Sequence, residues 1–129
     1  MNFSNFGALS TLQWVLAQTP PTAPTTLYVK LHIGDPGADG TGNPALNDVR
    51  VEIPFGAAAN INTDGRAQAA SNANVAWPSV PATETYTHIS LWDALTGGNC
   101  WYTDQMLAPV PVTTGGAFVF PVGQTIDHV

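Results

Sequence analysis

Apolar side chains recur every three or four residues at the start of the chain and every second residue after it. The sequence therefore divides into one helix and a run of strands. Phe6, Leu9, Leu12, Val15 and Leu16 form a stripe at helical spacing, widened by Trp14, which predicts a helix over residues 3–17. Ser4 or Asn5 can cap its start, because a short oxygen-bearing side chain accepts from the free amides of the first turn. Thr19-Pro20-Pro21-Thr22-Ala23-Pro24 stops it, since proline lacks a donor and constrains its predecessor. A helix this short is marginal alone in water, so its apolar face is expected to pack on the rest of the domain or on another subunit.

From Thr26 the period is two. Leu27, Val29, Leu31 and Ile33 alternate with Tyr28, Lys30 and His32, and a turn-rich loop follows over 34–44. Val49, Val51, Ile53 and Phe55 alternate with Arg50, Glu52 and Pro54, the proline marking an edge or a shortened strand. Small-residue segments at 66–70 and 73–77, then strands at 85–92, 100–106, 117–121 and 125–129, complete the set. About seven or eight short strands separated by turn signals predict an all-β fold. The expectation is a single β-sandwich, jelly-roll-like or immunoglobulin-like, with one short N-terminal α-helix. Residues 1–24 then read as an attachment helix and proline-rich connector, and residues 25–129 as the β-sandwich domain.

Residues 83–99 are the most informative stretch. Strict alternation puts Ile89 and Leu91 on one face and Tyr86, His88, Ser90 and Trp92 on the other. One face must be core, and alternation alone does not choose. Asp93 opens the reversal, and Gly97 and Gly98 supply the positive φ of a tight turn.

Composition alters the picture in one respect. Hydrophobic residues make up 44% of the 129, as in ordinary globular domains, but only 9% are charged, against roughly a quarter usually. A free monomer keeps itself soluble with a mixed charged surface, so this chain is expected to be covered in part by partner subunits. Lys30, Arg50 and Arg66 stand against nine acidic residues, a net charge of -6. Without a Lys/Arg cluster there is nothing to displace counterions from phosphates, which argues against nucleic acid and anionic membrane surfaces. No apolar run is long enough to span a bilayer, so no membrane insertion is expected. No secretory signal is legible, and synthesis in a cytoplasm is the expectation.

Candidate chemistry is sparse. Asp35-Pro36-Gly37-Ala38-Asp39-Gly40 is acidic and glycine-rich, but no Glu follows at the spacing of an EF-hand, and a capped turn is the simpler reading than calcium. His32, His88 and His128 lack ligand spacing, so no metal or other cofactor is expected. Ser90, His88 and Asp93 are the residue types of a hydrolase triad, yet neighbours on one strand cannot form the nucleophile–base–orienter chain. Glu84 and Asp93 are a conceivable glycosidase pair with no cleft around them. Cys100, the sole cysteine, sits beside Trp101 in a strand and reads as a buried thiol. Trp77, Trp92, Trp101, Tyr86 and Tyr102 serve either as core or as outward anchors for a subunit or a sugar ring. No enzyme is expected.

Three ordered segments carry a resemblance. They are the helix with Pro24-Thr25-Thr26-Leu27-Tyr28-Val29-Lys30-Leu31-His32-Ile33-Gly34-Asp35-Pro36-Gly37; the series Arg50, Ile53-Pro54-Phe55-Gly56-Ala57, Ser71-Asn72 and Val75-Ala76-Trp77-Pro78; and residues 86–99 with closing strands near Phe118. Together the chain resembles small virion structural proteins of tailed bacteriophages, the tail-fibre and minor tail proteins. The wording His88-Ile89-Ser90-Leu91-Trp92 is similar to versions from phages of actinobacteria, while Asp127-His128-Val129 departs from the family's final strand. The resemblance implies a virion component without catalytic residues: a minor tail or tail-fibre subunit, with capsid decoration (head fibre or vertex) as the alternative and a host-glycan-binding module as a lesser one. Partners are then other copies of itself, trimers being common among fibre-like proteins, and neighbouring tail or capsid proteins. Attachment is expected through Phe6, Leu9, Leu12, Trp14 and Val15, with Tyr86, His88 and Trp92 as further interface residues. Loops 35–44 and 113–116 are expected to be displayed outward.

Overall fold

The computed structural model describes residues 1–19, 21–61 and 65–128. Pro20 of the connector and Val129 at the end of the last expected strand lie outside the described residues. The chain opens with a short strand β1 (Asn2–Phe3) and the helix α1 (Asn5–Val15). Among the described residues nine strands follow: β2 (Tyr28–His32), β3 (Val51–Glu52), β4 (Ala59–Asn60), β5 (Ala67–Ala70), β6 (Val75–Trp77), β7 (Glu84–Trp92), β8 (Cys100–Val112), β9 (Phe118–Phe120) and β10 (Thr125–His128). They pair antiparallel into a five-stranded sheet of order β1-β8-β7-β2-β3, a three-stranded sheet β10-β5-β4 and a two-stranded sheet β6-β9.

The all-β class with one N-terminal helix is what the sequence spacing predicts. The layering is more divided than a simple sandwich of two sheets. One face of the five-stranded sheet contributes Val29, Leu31, Tyr86, Ile89 and Leu91 to a core shared with Val75, Trp77, Phe118 and Phe120 of β6 and β9 and with Ile126 of β10. The expected strand at Val49–Phe55 shrinks to the two residues of β3, with Phe55 making one isolated bridge to Ser71. Pro54 cannot donate to a ladder, which accounts for the break.

Tyr86 corrects the face assignment. Strict alternation opposes it to Ile89, yet both are buried in the same cluster, at 0% and 1% exposure. The β7–β8 pairing shifts register between Tyr86↔Val110 and His88↔Gln105, so Met106, Leu107, Ala108 and Pro109 face the single Thr87. This bulge resets the phase of the strand pair, which period counting cannot see. Leu107 at its tip is fully exposed.

The second face of the sheet is buried as well. His32, Ser90 and Trp92 lie there, and the loop after β2 folds back over them: Gly42 O reaches His32 Nδ1 at 2.8 Å, and Pro36 and Gly40 are buried. At Gly40, with φ +75°, a Cβ would collide with Cys100 Sγ. The stretch 35–44, expected to be displayed, is therefore partly a cover, whereas residues 113–116 are exposed as expected.

Candidate functional site

The N-terminal segment is woven into the five-stranded sheet. Asn2 and Phe3 pair with Thr103 and Tyr102 on the β8 edge, and the terminal amine lies 3.8 Å from the Asp104 carboxylate. Ser4 caps α1: its Oγ accepts from Gly7 N at 2.9 Å and donates to the Cys100 carbonyl, while Ser4 N donates to Trp101 O at 2.9 Å. Asn5 N donates to Ala38 O at 2.8 Å, tying the helix start to the covering loop. Four backbone and side-chain bonds thus fix one helix end with no charged residue in its first turn.

The face of α1 that meets the sheet is not the apolar stripe. Ser4, Gly7 and Ser10 are buried, three residues apart, and a Cβ at Gly7 would strike the Trp101 carbonyl oxygen. Small residues at this spacing let the helix backbone close onto β8. The stripe consequently turns outward. Leu9, Leu12, Trp14, Val15 and Leu16 are each more than half exposed, and Phe6 is one-third exposed, its ring edge-on to Trp101 at 5.1 Å. Of the two coverings expected for this stripe, the β-domain or another subunit, the β-domain meets only Phe6. The helix ends in a Schellman arrangement, Gln18 N to Gln13 O at 2.9 Å and Ala17 N to Trp14 O at 3.1 Å, with Ala17 at φ 54°.

The other expected interface residues are placed differently. Tyr86 is core, its hydroxyl accepting from Asn47 Nδ2 at 3.2 Å, and burial pushes its pKa up. Trp92 is 7% exposed, beneath the Arg50 guanidinium at 4.3 Å from its ring. Within the chain the bulge draws Tyr86 inward, while Arg50 and the loop after β2 cover Trp92. His88 is half-buried, with Nδ1 2.8 Å from Thr87 Oγ1. Trp77, the second tryptophan considered for sugar stacking, is 2% exposed and donates its indole N–H to Val49 O at 2.8 Å.

The polar groups that resembled chemistry are engaged in hydrogen bonds that hold strands, turns and loops together. Ser90 partners His32 rather than His88: Oγ lies 2.7 Å from His32 Nε2 and accepts from Trp92 Nε1 at 2.7 Å. The Gly42 carbonyl can only accept, so His32 carries its proton on Nδ1 and takes the Ser90 hydroxyl proton at Nε2. Burial holds the His32 pKa below its ordinary value, and the ring is neutral. The nucleophile–base distance is present, but His32 and Ser90 are both 0% exposed. Asp93 Oδ1 accepts from Asn99 N at 2.7 Å, and Oδ2 from Trp101 Nε1 at 3.1 Å. Burial alone would raise the Asp93 pKa, but these bonds outweigh it and the net direction is down. Glu84 accepts from Leu46 N and Asn47 N at 2.6 and 3.2 Å. Asp35 and Asp39 each accept a backbone amide two residues on, and among the described residues no three His, Cys, Asp or Glu converge on a point. Cys100 is buried, and burial pushes its thiol up to about 11.

Two features that the spacing did not reveal are the helix face of Ser4, Gly7 and Ser10 and the Arg50 clamp. Arg50 Nη1 donates to Ala94 O and Gly97 O, each at 2.7 Å, across the glycine turn. The three-residue recurrence of small side chains was legible; its opposition to the leucines was the missed signal. A family model described as Gp80, podophage GP4 fiber I protein gp80, matches residues 2–126 of the chain. No curated protein matches it.

Proposed function

The chain belongs to the podophage fibre protein family, and on that premise we propose that it is a minor tail or tail-fibre subunit attached by the outward face of α1. Membership makes it a structural, non-enzymatic protein and a component of the virion. The family is one of podophage fibre proteins, and the resemblance to versions from phages of actinobacteria finds no support in it. One observation supports attachment through the helix: α1 is fixed by its small-residue face while five large apolar side chains stay more than half exposed. Apolar patches of this kind on a soluble chain mark contacts with other proteins.

The attachment test is incorporation into particles. Leu9→Asp with Leu12→Asp should leave the circular dichroism spectrum and melting temperature near those of the parent, since both side chains face outward. The variant should be missing from purified virions by mass spectrometry. Normal incorporation would overturn helix attachment. Density for the chain at the tail in an electron-microscopy map supports the tail position, and density distributed over the capsid lattice replaces it with head decoration.

A further inference from the structure

Among the described residues, two apolar features of the surface adjoin at Trp101. One is the outward stripe of α1. The other is a groove of about 300 Å³ between the β5 and β8 regions, walled by Leu27, Phe55, Ala58, Trp101, Tyr102 and Ile126. Trp101 belongs to both: its ring packs against Phe6 of the helix, and the residue is part of the groove's wall. None of the groove's lining residues is Asp, Glu, Lys or Arg.

We propose that the helix stripe of one copy seats in the Phe55–Trp101 groove of a second copy. This rests on the reading that α1 is the attachment surface, and names what it attaches to. Charge favours a second copy. The chain is net -6, so most contacts between copies bring like charges together, but no Asp, Glu, Lys or Arg precedes Lys30. A helix without charged side chains entering a groove that has no carboxylate on its wall, with His128 as its one titratable imidazole, avoids that repulsion. Spacing favours it too, because Leu9, Leu12 and Leu16 present the i, i+3, i+7 anchors with which a helix fills an apolar groove.

Area sets the geometry. One such contact covers on the order of a few hundred Å² per copy, below the roughly 800 Å² a side of a stable interface. A copy that donates its helix and also accepts one approaches that figure. The contact joins two different surfaces, so it closes as a ring or as a reciprocal pair.

Two exposed positions test this in the full chain. Leu12→Cys and Ala58→Cys proteins, mixed under oxidising conditions, should form the Leu12–Ala58 inter-chain disulfide in preference to either homodisulfide; the native Cys100 is buried and does not compete. In sedimentation, the parent should associate, and Ala58→Arg and Leu12→Glu should each weaken association at least about tenfold. A parent that is monomeric at all concentrations, or Leu12–Leu12 crosslinks with Ala58→Arg inert, would overturn the contact. Particle incorporation separates this failure from that of the attachment reading. If Leu12→Glu is lost from virions while Ala58→Arg is retained, the helix binds a different virion protein and only the self-contact falls. If both are retained, both readings fall.

Discussion

Ser90 Oγ and His32 Nε2 meet at 2.7 Å on the loop-covered face of the central sheet, neither residue exposed to solvent. The pair links adjacent strands β2 and β7, and Trp92 and Gly42 complete the chain of bonds. Ser90→Ala removes the hydroxyl from two partners at once, leaving the Trp92 indole N–H and His32 Nε2 unmatched. The expected loss is about 2–3 kcal/mol, read from urea unfolding. A loss no larger than that of an exposed serine would show the network to be slack.

The same pair makes stability depend on pH. His32 is held below its ordinary 6.5, first by burial and then by the charge of Lys30, against the bond to Gly42 O. The unfolded chain therefore binds the proton first as pH falls. The stabilisation is complete above about pH 6.5 and is lost as pH drops from there through the folded-state value. Urea unfolding at about pH 7.5 and about pH 5 should show the decrease, and His32→Gln should flatten it. An unchanged slope in His32→Gln would assign the effect to another group.

Gly7→Ala should detach α1 from the sheet. Its Cβ would meet the Trp101 carbonyl, a backbone atom that cannot move aside, and the Phe3 ring at 2.9 Å. The expected cost is about 1–3 kcal/mol, with faster amide exchange over 5–15. Leu9→Ala, on the open face, should change exchange little. Equal behaviour of the two variants would contradict the small-face docking.

Ala17→Gly should act in the opposite direction. Ala17 sits at φ 54° as the left-handed residue closing the helix. Glycine adopts that conformation without steric penalty, so a gain of about 1 kcal/mol is expected in thermal or urea unfolding. A loss would mean that the Schellman closure does not persist in solution.

Arg50→Met tests the turn. It removes two hydrogen bonds to Ala94 O and Gly97 O and the contact over Trp92, while keeping much of the side-chain volume. Destabilisation of about 2–3 kcal/mol is expected, with exchange rising first across 93–99. Uniform loss of protection over the whole chain would count against a local clamp.

Much of this was legible from residue spacing. The helix with Ser4 at its cap, the period-two strands at Tyr28–His32 and Glu84–Trp92, and the Asp93–glycine reversal all follow from local rules. So does the low prospect of catalysis, because no reactive group had the neighbours it needs. The Ser90 partner was not legible: His32 is 58 positions away and reaches Ser90 only when β2 lies beside β7.

Period and capping, which are properties of consecutive residues, determined that this chain is one helix followed by strands. Which surfaces face inward was decided elsewhere. The β8 bulge moved Tyr86 into the core, the loop after β2 closed over Trp92, and backbone contact at Gly7 turned the leucines of α1 outward. Each of these depends on the close approach of segments far apart in sequence, where backbone collisions and carbonyl acceptors outweigh hydrophobic pattern. The resulting exposed stripe is the surface proposed for attachment.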